Sequence, residues 1–323
     1  MVVVINYSNE YYRQAQILCT ATAKRFGAAQ VWEYSPQDIP PDFYAAHKFI
    51  LDLPRGNGYW LWKPLIILDA LSKVNDGDHV FYTDSGAAFI DDIHYLIDAM
   101  DAAGVNIMTF GGSTDKGSLE RIWTKRDAFI LMDCDTPEFT DTPQIGATFF
   151  ACKKCDEAIS FVQDWLKYMC DPRIVTDMPN QLGQPNYPEF LENRHDQTVL
   201  SLLTKKNKLP QFKTPTQLVS NNLFQDVLER SPYPQIFYHH RRCNWLMTPE
   251  ECLKLNSAKT TLPRGLECVC ILMIERLYSE ALAMLLHLES QTQGGGRKFV
   301  KHGEKSRKSC ASRMRAAIRI TAR

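Results

Sequence analysis

A carboxylate at the end of an apolar run is the first candidate for chemistry. The segment from Asp78 to Gly86 reads as a short apolar strand that delivers Asp84 and then stops at a glycine. Strands of this kind are typical of the middle of a mostly parallel sheet, and ligands bind beyond their carboxyl ends. Asp84 and the adjacent Ser85 are therefore candidate ligand-binding residues, although an Asp at a strand end also serves as a cap for the next turn.

A cluster of aromatic residues with one lysine precedes this strand. The run Tyr59-Trp60-Leu61-Trp62-Lys63-Pro64 follows Arg55-Gly-Asn-Gly58, which is predicted to form a flexible loop. An aromatic face can stack on a base or a sugar, and a lysine at a helix start can meet a phosphate, which the helix N-terminus also attracts. The alternative is packing of tryptophan against a sheet, with proline in a first helical turn.

Three later segments contain polar groups that suit sugar hydroxyls and anions. Asp196 lies between His195 and Gln197 at the head of a predicted helix, where it is either a reacting carboxylate or only the N-cap. Gln144 and Gly146 precede a predicted strand, and Tyr7 follows the first one. The run Pro234 to Arg242 ends in His239, His240, Arg241 and Arg242, a set of side chains typical of an anion or metal site.

Alternating strands and helices must position these groups. A β-α-β opening and later β-α pairs predict an α/β fold with a Rossmann-like, mostly parallel central sheet flanked by helices. The sequence lacks Gly-x-Gly-x-x-Gly, so a dinucleotide site of the usual kind is not supported. The predicted strands are 2–6, 30–34, 78–83, 106–110, 148–152, 211–214 and 234–242. The predicted helices are 9–26, 40–53, 65–74, 92–103, 128–132, 156–169, 193–203 and 267–289, and residues 181–189 are expected to form a long surface loop.

The order of these motifs resembles GT-A-type glycosyltransferases, over about Val2 to Asn244. Within them it resembles a bacterial and viral-like group that carries Gly-Tyr-Trp-x-Trp-Lys-Pro, Tyr-x-Asp-x-Gly, His-Asp-Gln and His-His-Arg. In that superfamily an Asp-x-Asp motif holds a divalent metal on the diphosphate of a nucleotide sugar. Here Asp84 matches its first aspartate, and Gly86 stands where the second would be. The departure puts direct coordination of a metal in doubt.

The resemblance implies a function and roles for the candidate residues. It implies transfer of a sugar from a nucleoside-diphosphate donor, most simply a UDP-sugar, to a glycan, lipid or protein acceptor, with Mn²⁺ or Mg²⁺ as cofactor. The metal ligands would be Asp84, His239 and His240. The donor would contact Tyr7, Trp60, Trp62, Lys63, Asp84, Ser85, Lys125 and Arg242. The acceptor or transferred sugar would contact Gln144, Gly146, His195, Asp196 and Gln197, with Asp84 and Asp196 catalytic and Asp127 the next candidate carboxylate.

Two other functions remain open on the sequence alone. A catalytically silent protein that binds nucleotide sugars would share the pocket, and the incomplete Asp-x-Asp favours it. The basic end of the chain suggests association with nucleic acid, because ten Lys or Arg face one acidic residue from Gln291 onward. The chain as a whole has zero formal charge, so its larger part is acidic and is not expected to bind nucleic acid by charge.

Length and composition predict the organisation of the chain. The 323 residues are expected to form a catalytic domain at 1–250, a helical extension at 251–290 and a disordered basic tail at 291–323. Neither a signal peptide nor a transmembrane helix is expected, which favours a cytoplasmic protein whose tail contacts anionic lipid. The ten cysteines show no disulfide spacing, and Cys152-Lys-Lys-Cys155 lacks the second pair that structural zinc needs.

Overall fold

The computed structural model describes residues 1–111, 116–216 and 231–239, which divide into two compact units. The first unit contains 1–9, 29–84 and the described part of 97–214. The second contains 10–28, 85–96 and the described residues from 215 onward. The sequence-based domain boundaries at 250 and 290 lie outside these ranges, as do the predicted helix at 267–289 and the basic tail.

Strands and helices alternate along the described chain. The strands are β1 (Val2–Tyr7), β2 (Gln30–Tyr34), β3 (His79–Thr83), β4 (Ala87–Phe89), β5 (Ile107–Gly111), β6 (Gly146–Lys153), β7 (Gln211–Lys213) and β8 (Phe237–His239). The helices are α1 (Arg13–Arg25), α2 (Pro41–Leu51), α3 (Gly56–Tyr59), α4 (Trp62–Lys73), α5 (His94–Ala103), α6 (Glu120–Trp123), α7 (Arg126–Leu131), α8 (Pro137–Thr140), α9 (Asp156–Met169), α10 (Pro172–Val175) and α11 (Asp196–Lys206). Short 3₁₀ turns cover Glu10–Tyr12, Pro36–Asp38 and Lys116–Ser118.

A six-stranded sheet forms the centre of the first unit, in the order β2-β1-β3-β6-β5-β7. The pairs β1 with β2, β1 with β3 and β5 with β7 are parallel, whereas β6 runs antiparallel to both β3 and β5. Five strands therefore point one way and β6 points the other. This confirms the predicted α/β class with a mostly parallel central sheet, and it brings the ends of β1 and β3 and the start of β6 to one edge.

Apolar side chains explain why these strands lie in the middle. All residues of β1, β3 and β5 are buried, as expected for strands covered on both faces. Helix α4 contacts β1 and β3, and α11 contacts β6 and α9. On α9, Val162 and Trp165 are fully buried as the apolar stripe predicts, while Ile159 and Leu166 pack against the core from its margin.

The second unit is described by itself from α1, β4, β8 and their connections. Strand β4 pairs antiparallel with β8, and the rings of Phe89 and Phe237 meet edge to face at 4.6 Å. The Thr22 hydroxyl of α1 accepts a hydrogen bond from the Phe89 backbone amide at 3.0 Å. The predicted helix at 9–26 is confirmed, with its first residues in a 3₁₀ turn. The sequence reading missed β4, because three apolar residues after a turn are too short to show a period.

The segment Arg55–Gly58, predicted as a loop, leads instead into a short helix, α3. Residues Gly56 to Tyr59 form a compact helical turn, and Asn57, Tyr59 and Trp60 have positive φ values of 54°, 50° and 59°. Helix α4 then starts at Trp62, three residues earlier than predicted. Pro64 is tolerated there because the N–H groups of the first helical turn have no acceptor within the helix, so the missing N–H of proline breaks no hydrogen bond. The first part of the aromatic run, Tyr59 and Trp60, therefore lies in a tight turn with a strained backbone.

Among the described residues, no helix combines the length and the apolar character needed to cross a bilayer.

Substitution of Gly58 tests the rigidity of this turn. Gly58 has φ +88°, and a Cβ there would lie 2.8 Å from the Cα of Leu51. We expect Gly58→Ala to lower the free energy of unfolding by about 3 kcal/mol or more. Alanine in this left-handed conformation costs ~1–2 kcal/mol, and the clash of its Cβ with the Leu51 backbone adds to that cost. Gly77→Ala is the matched control, because Gly77 has φ +84° and a Cβ added there would meet no described atom within 4 Å. Equal losses in urea denaturation would contradict the account.

Candidate functional site

Lys63 is the residue at which the candidate site is assembled. It is the second residue of α4 and is 1% exposed, so its ammonium group has no access to bulk water. The group must therefore be neutralised and hydrogen-bonded inside the protein. Its partners come from three other segments at the carboxyl edge of β1 and β3.

The Lys63 ammonium contacts two carboxylates and one carbonyl. Nζ donates to an oxygen of Asp196 at the start of α11 and to the backbone oxygen of Ala147 in β6 at 3.0 Å. It also lies 3.4 Å from Oδ1 of Asp84, directly after β3. The Tyr82 ring centroid is 4.9 Å from Nζ, a cation–π distance. The sequence reading paired none of these residues, yet Lys63, Asp84 and Asp196 were all among its candidates.

The protonation states follow from burial and the paired charges. Burial works to lower the pKa of Lys63, but the negative charges of Asp196 and Asp84 outweigh it and raise that pKa above the usual value. Burial raises the pKa of the Asp196 carboxyl to about 6, with Lys63 opposing the rise. Near neutral pH the cluster therefore holds a charged lysine and an ionised Asp196. Two aspartates and one lysine give the cluster a formal net charge of −1.

The two carboxylates differ in how far they reach solvent. The Asp196 side chain is 7% exposed, whereas that of Asp84 is 34% exposed. The Tyr82 hydroxyl donates to Oδ1 of Asp84 at 2.5 Å and fixes its orientation. Tyr82 was missed by the sequence analysis, although side chains two apart in a strand share a face and this spacing could have identified it. Asp84 is thus the outward-facing carboxylate of the cluster.

The structure answers the question of the N-cap at α11. His195, not Asp196, occupies the cap position, and no side chain caps this helix end. Asp196 is the first helical residue, where the helix dipole favours its negative charge. The alternative that Asp196 is only an N-cap is therefore wrong.

Tyr7 and Trp62 pack against each other inside the first unit. Their rings stack at 3.7 Å with an interplanar angle of 14°, and both residues are buried. The Trp62 indole N–H donates to the Gly56 carbonyl at 3.0 Å, and Asn57 donates to the Tyr7 hydroxyl. This placement matches the packing alternative for Trp62. The role of Tyr7 and Trp62 in binding a donor stays a prediction.

Trp60 and Tyr59 enclose the imidazole of His195. The Trp60 ring stacks on it at 5.6 Å, and the Tyr59 ring meets it at 4.7 Å. The Tyr59 hydroxyl donates to Asp177 at 2.9 Å, and Arg55 bridges Asp177 and Glu192 at 3.1 and 3.0 Å. The sequence analysis missed Asp177, because a single acid in an irregular segment carries no pattern.

Gln144 and Gln197 are used inside a buried polar network. The Gln197 amide donates to the Gln144 carbonyl oxygen at 2.7 Å, and the Gln144 amide donates to Glu120 at 3.0 Å. Glu120 is fully buried and pairs with Lys205 at 2.7 Å. These amides therefore stabilise the interior. At Gly146 a Cβ would lie 3.5 Å from the nearest described atom, which is an ordinary contact, and a role of Gly146 toward a sugar stays a prediction.

Lys125 and Asp127 hold the irregular segment between α10 and α11. The Lys125 ammonium donates to the carbonyls of Thr176 and Met178, and burial lowers its pKa. Asp127 accepts from the backbone amides of Gln181 and Leu182 at 2.6 and 3.2 Å. Both side chains are committed to this segment. The role of Lys125 toward a donor, and of Asp127 as a substitute carboxylate, stay predictions.

The predicted metal ligands are only partly described. Ser85 and His239 belong to the second unit, and His240 and Arg242 lie outside the described residues. No group of three or more His, Cys, Asp or Glu side chains suited to a metal occurs in the described part of the chain. Asp84 fits such an ion best, because its carboxylate is outward-facing while Asp196 is engaged by Lys63. One carboxylate supplies few of the oxygen ligands a divalent cation takes, so the metal stays a prediction.

Comparisons with known proteins find similarity in structure at low sequence identity. No family model and no curated protein matches the sequence. The apo form of mouse xyloside xylosyltransferase 1 is similar over 74% of this chain and 97% of its own, with 9% identity and a TM-score of 0.43. The bifunctional glycosyltransferase WbbM is similar over 74% and 45%, with 9% identity and a TM-score of 0.41.

A third similar structure is the galactosyltransferase LgtC, in complex with donor and acceptor sugar analogs. It is similar over 75% of this chain and 87% of its own, with 13% identity and a TM-score of 0.35. All three are named as glycosyltransferases, and the chain spans less than half the length of WbbM.

Removal of the Lys63 charge tests the cluster. Lys63→Met keeps the stem but leaves Asp196 buried without its cation, and we expect a loss of about 3–5 kcal/mol in the free energy of unfolding at pH 8. The pKa of Asp196, already raised, should rise further. A raised folded-state pKa adds stability at low pH that is lost as pH increases through it, so the loss should shrink toward pH 5. Urea denaturation at both pH values measures this.

Lys205→Met is the matched control, since it breaks the buried pair with Glu120 at 2.7 Å. It should also destabilise the chain but leave the titration of Asp196 unchanged. An Asp196 titration that responds equally to both variants would contradict the proposed role of Lys63.

Proposed function

We propose that the chain transfers a sugar from a nucleoside-diphosphate sugar, most simply a UDP-sugar, to a hydroxyl acceptor. The observation that carries the proposal is the pair of carboxylates, Asp84 and Asp196, joined by buried Lys63 at the carboxyl edge of the central sheet. Ligands of open α/β sheets bind at this edge. The aromatic turn that contains Trp60 lies in the same unit and adds faces suited to a sugar.

The charge of the cluster suits the reacting sugar. Glycosyl transfer develops positive charge at the anomeric carbon, and a fixed negative site in a low-dielectric environment stabilises it. Lys63 cancels one of the two carboxylate charges, which leaves a net charge of −1 and keeps both groups in place. In this proposal Lys63 is a positioning residue and does not touch the substrate.

The diphosphate requires positive charge from elsewhere, because the cluster itself would repel it. We propose that Asp84 contributes a carboxylate oxygen to a Mn²⁺ or Mg²⁺ ion, while the roles of His239, His240 and Arg242 stay predictions. When bound, the ion would neutralise the leaving diphosphate. Asp196 then acts on the sugar or acceptor, as a base that takes the acceptor proton or as an electrostatic partner of the positively charged sugar. The acceptor is a glycan, lipid or protein hydroxyl.

A silent protein that binds nucleotide sugars is the second candidate. It is favoured by the close engagement of Asp196 with Lys63 and by its 7% exposure, which limit its reach toward a substrate. Such a protein would bind a donor without releasing nucleoside diphosphate. The cytoplasmic location and the contact of the basic tail with anionic lipid or nucleic acid stay predictions about residues outside the described ranges.

A screen of nucleotide sugars, with detection of released nucleoside diphosphate, tests the proposed activity. We expect release with one donor in the presence of Mn²⁺ or Mg²⁺ and its loss in EDTA. Asp84→Asn should lower turnover by about 100-fold or more, because it removes charge at nearly constant size. Asp76→Asn, at a side chain that is 91% exposed, is the control and should be unaffected. Donor binding without release by the unmodified chain would favour the silent alternative.

The pH dependence tests the role of Asp196. Its pKa of about 6 predicts that turnover rises close to tenfold per pH unit below 6 and levels off above it, because only the ionised carboxylate serves either role. Asp196→Asn should abolish the rise along with most of the activity. A rate that stays flat from pH 5 to pH 8 would show that ionisation of Asp196 does not control the reaction.

A further inference from the structure

The imidazole of His195 has one nitrogen in use and one without a partner in the described part of the chain. Nδ1 lies 2.6 Å from the Val175 carbonyl, which can only accept, so Nδ1 carries the proton. Burial lowers the pKa of His195 to about 4, and the ring is therefore neutral near pH 7. Nε2 is then a hydrogen-bond acceptor. It is buried and has no hydrogen-bond partner among the described residues.

The nearest charged group to this nitrogen is also an acceptor. Oδ1 of Asp177 lies 3.9 Å from Nε2, which is too far for a hydrogen bond. Neither atom carries a hydrogen, so the two could not form one at a shorter distance either. The other carboxylate oxygen, Oδ2, accepts from the Tyr59 hydroxyl at 2.9 Å and from Arg55 at 3.1 Å. These contacts fix Asp177 so that Oδ1 faces the imidazole. Two acceptors are therefore held side by side, and none of the described residues places a donor between them.

The surroundings of this acceptor pair keep it rigid. Trp60 stacks on the imidazole and Tyr59 meets it edge to face, so the ring cannot turn to find another partner. His195 also has φ +54° and ψ −112°, a backbone conformation that costs free energy in a residue other than glycine. A buried acceptor left unpaired adds to that cost. A ligand that donates a hydrogen bond to Nε2 would remove the cost of the unpaired acceptor.

We propose that His195 Nε2 and Asp177 Oδ1 bind two hydroxyl groups of a sugar. The inference rests on the proposed function, since the next residue along the chain is Asp196, the carboxylate assigned to the reacting sugar. Neighbouring hydroxyls on one ring can each donate to one member of the pair. A cationic ligand fits less well, because the Arg55 guanidinium already sits on Asp177. The ligand approaches on the Asp177 side, where the side chain is 42% exposed against 2% for His195.

The hydroxyls belong either to the donor sugar or to the acceptor, and the two sources can be separated. Full-length protein labelled with ¹⁵N at histidine is titrated with UDP-glucose, with UDP, and with methyl glucoside. The His195 signals are assigned by their loss in His195→Gln. In the free protein we expect Nε2 to give the signal of an unprotonated nitrogen. If the site binds the donor sugar, the Nε2 signal should shift with UDP-glucose but not with UDP. If the site binds the acceptor, the signal should shift with methyl glucoside.

Two variants show whether the pair itself carries the binding. In Asp177→Asn the new amide can donate to Nε2 and satisfy it internally, so saccharide affinity should fall at least tenfold while stability is kept. Glu192→Gln is the matched control, because it removes the other partner of Arg55 and leaves the acceptor pair intact. Its affinity should stay within twofold of the unmodified chain. Equal affinity in the two variants would mean that the pair holds only a buried water.

Release of nucleoside diphosphate, followed in the same samples, separates this inference from the proposed activity. Turnover with an unmoved His195 signal would overturn the inference and leave the transferase proposal standing. A His195 shift without release would support the sugar site and count against transfer. If none of the three compounds moves the His195 signal at millimolar concentration, the proposed site is wrong.

Discussion

The first unit depends on a lysine that cannot reach water. Four segments far apart in the sequence meet at the Nζ atom of Lys63, namely the start of α4, the end of β3, the start of β6 and the start of α11. An ammonium group buried in this way is stable only while its carboxylates stay close, and the buried carboxylate of Asp196 is stable only while the ammonium group stays charged. The pairing therefore determines where three strand and helix ends lie at the edge of the sheet. At the start of α4, Trp62 stacks on Tyr7 of β1 and donates to the Gly56 carbonyl, which ties the preceding turn to the sheet.

The same pairing gives two aspartates different properties. Asp196 is enclosed, lies against the ammonium group and has its pKa raised to about 6 by burial. Asp84 is outward-facing and is oriented by Tyr82, so its charge is available to a ligand or an ion. Distinct environments for two carboxyl groups are the usual basis of distinct roles in one site. Beside them, the rings of Tyr59 and Trp60 pack against His195, whose Nε2 has no hydrogen-bond partner among the described residues.

Periodicity predicted most of the fold, and residue type predicted part of the site. The buried runs of β1 and β3 and the spacing of α9 are local signals, and the structure confirms them. Lys63, Asp84 and Asp196 were identified by their chemistry, but their convergence on one atom was not predictable, because it depends on register across β1, β3 and β6. Gln144 and Gln197 were also chosen by residue type, and the structure places their amides in a buried network with Glu120, so their role toward a sugar stays a prediction. Asp177 was missed because an irregular segment has no period, and its partner Arg55 was assigned to a loop although it is the N-cap residue of α3.

The titration of the aspartate carboxyls tests the central claim most directly. With ¹³C at the aspartate carboxyl carbons, NMR spectra across pH 3 to pH 8 report each group by its own midpoint. The account predicts one resonance that titrates near 6, is absent in Asp196→Asn and moves to higher pH in Lys63→Met. An Asp196 resonance that titrates near the value of an ordinary exposed aspartate, and that does not respond to removal of the Lys63 charge, would contradict the buried cluster on which the rest depends.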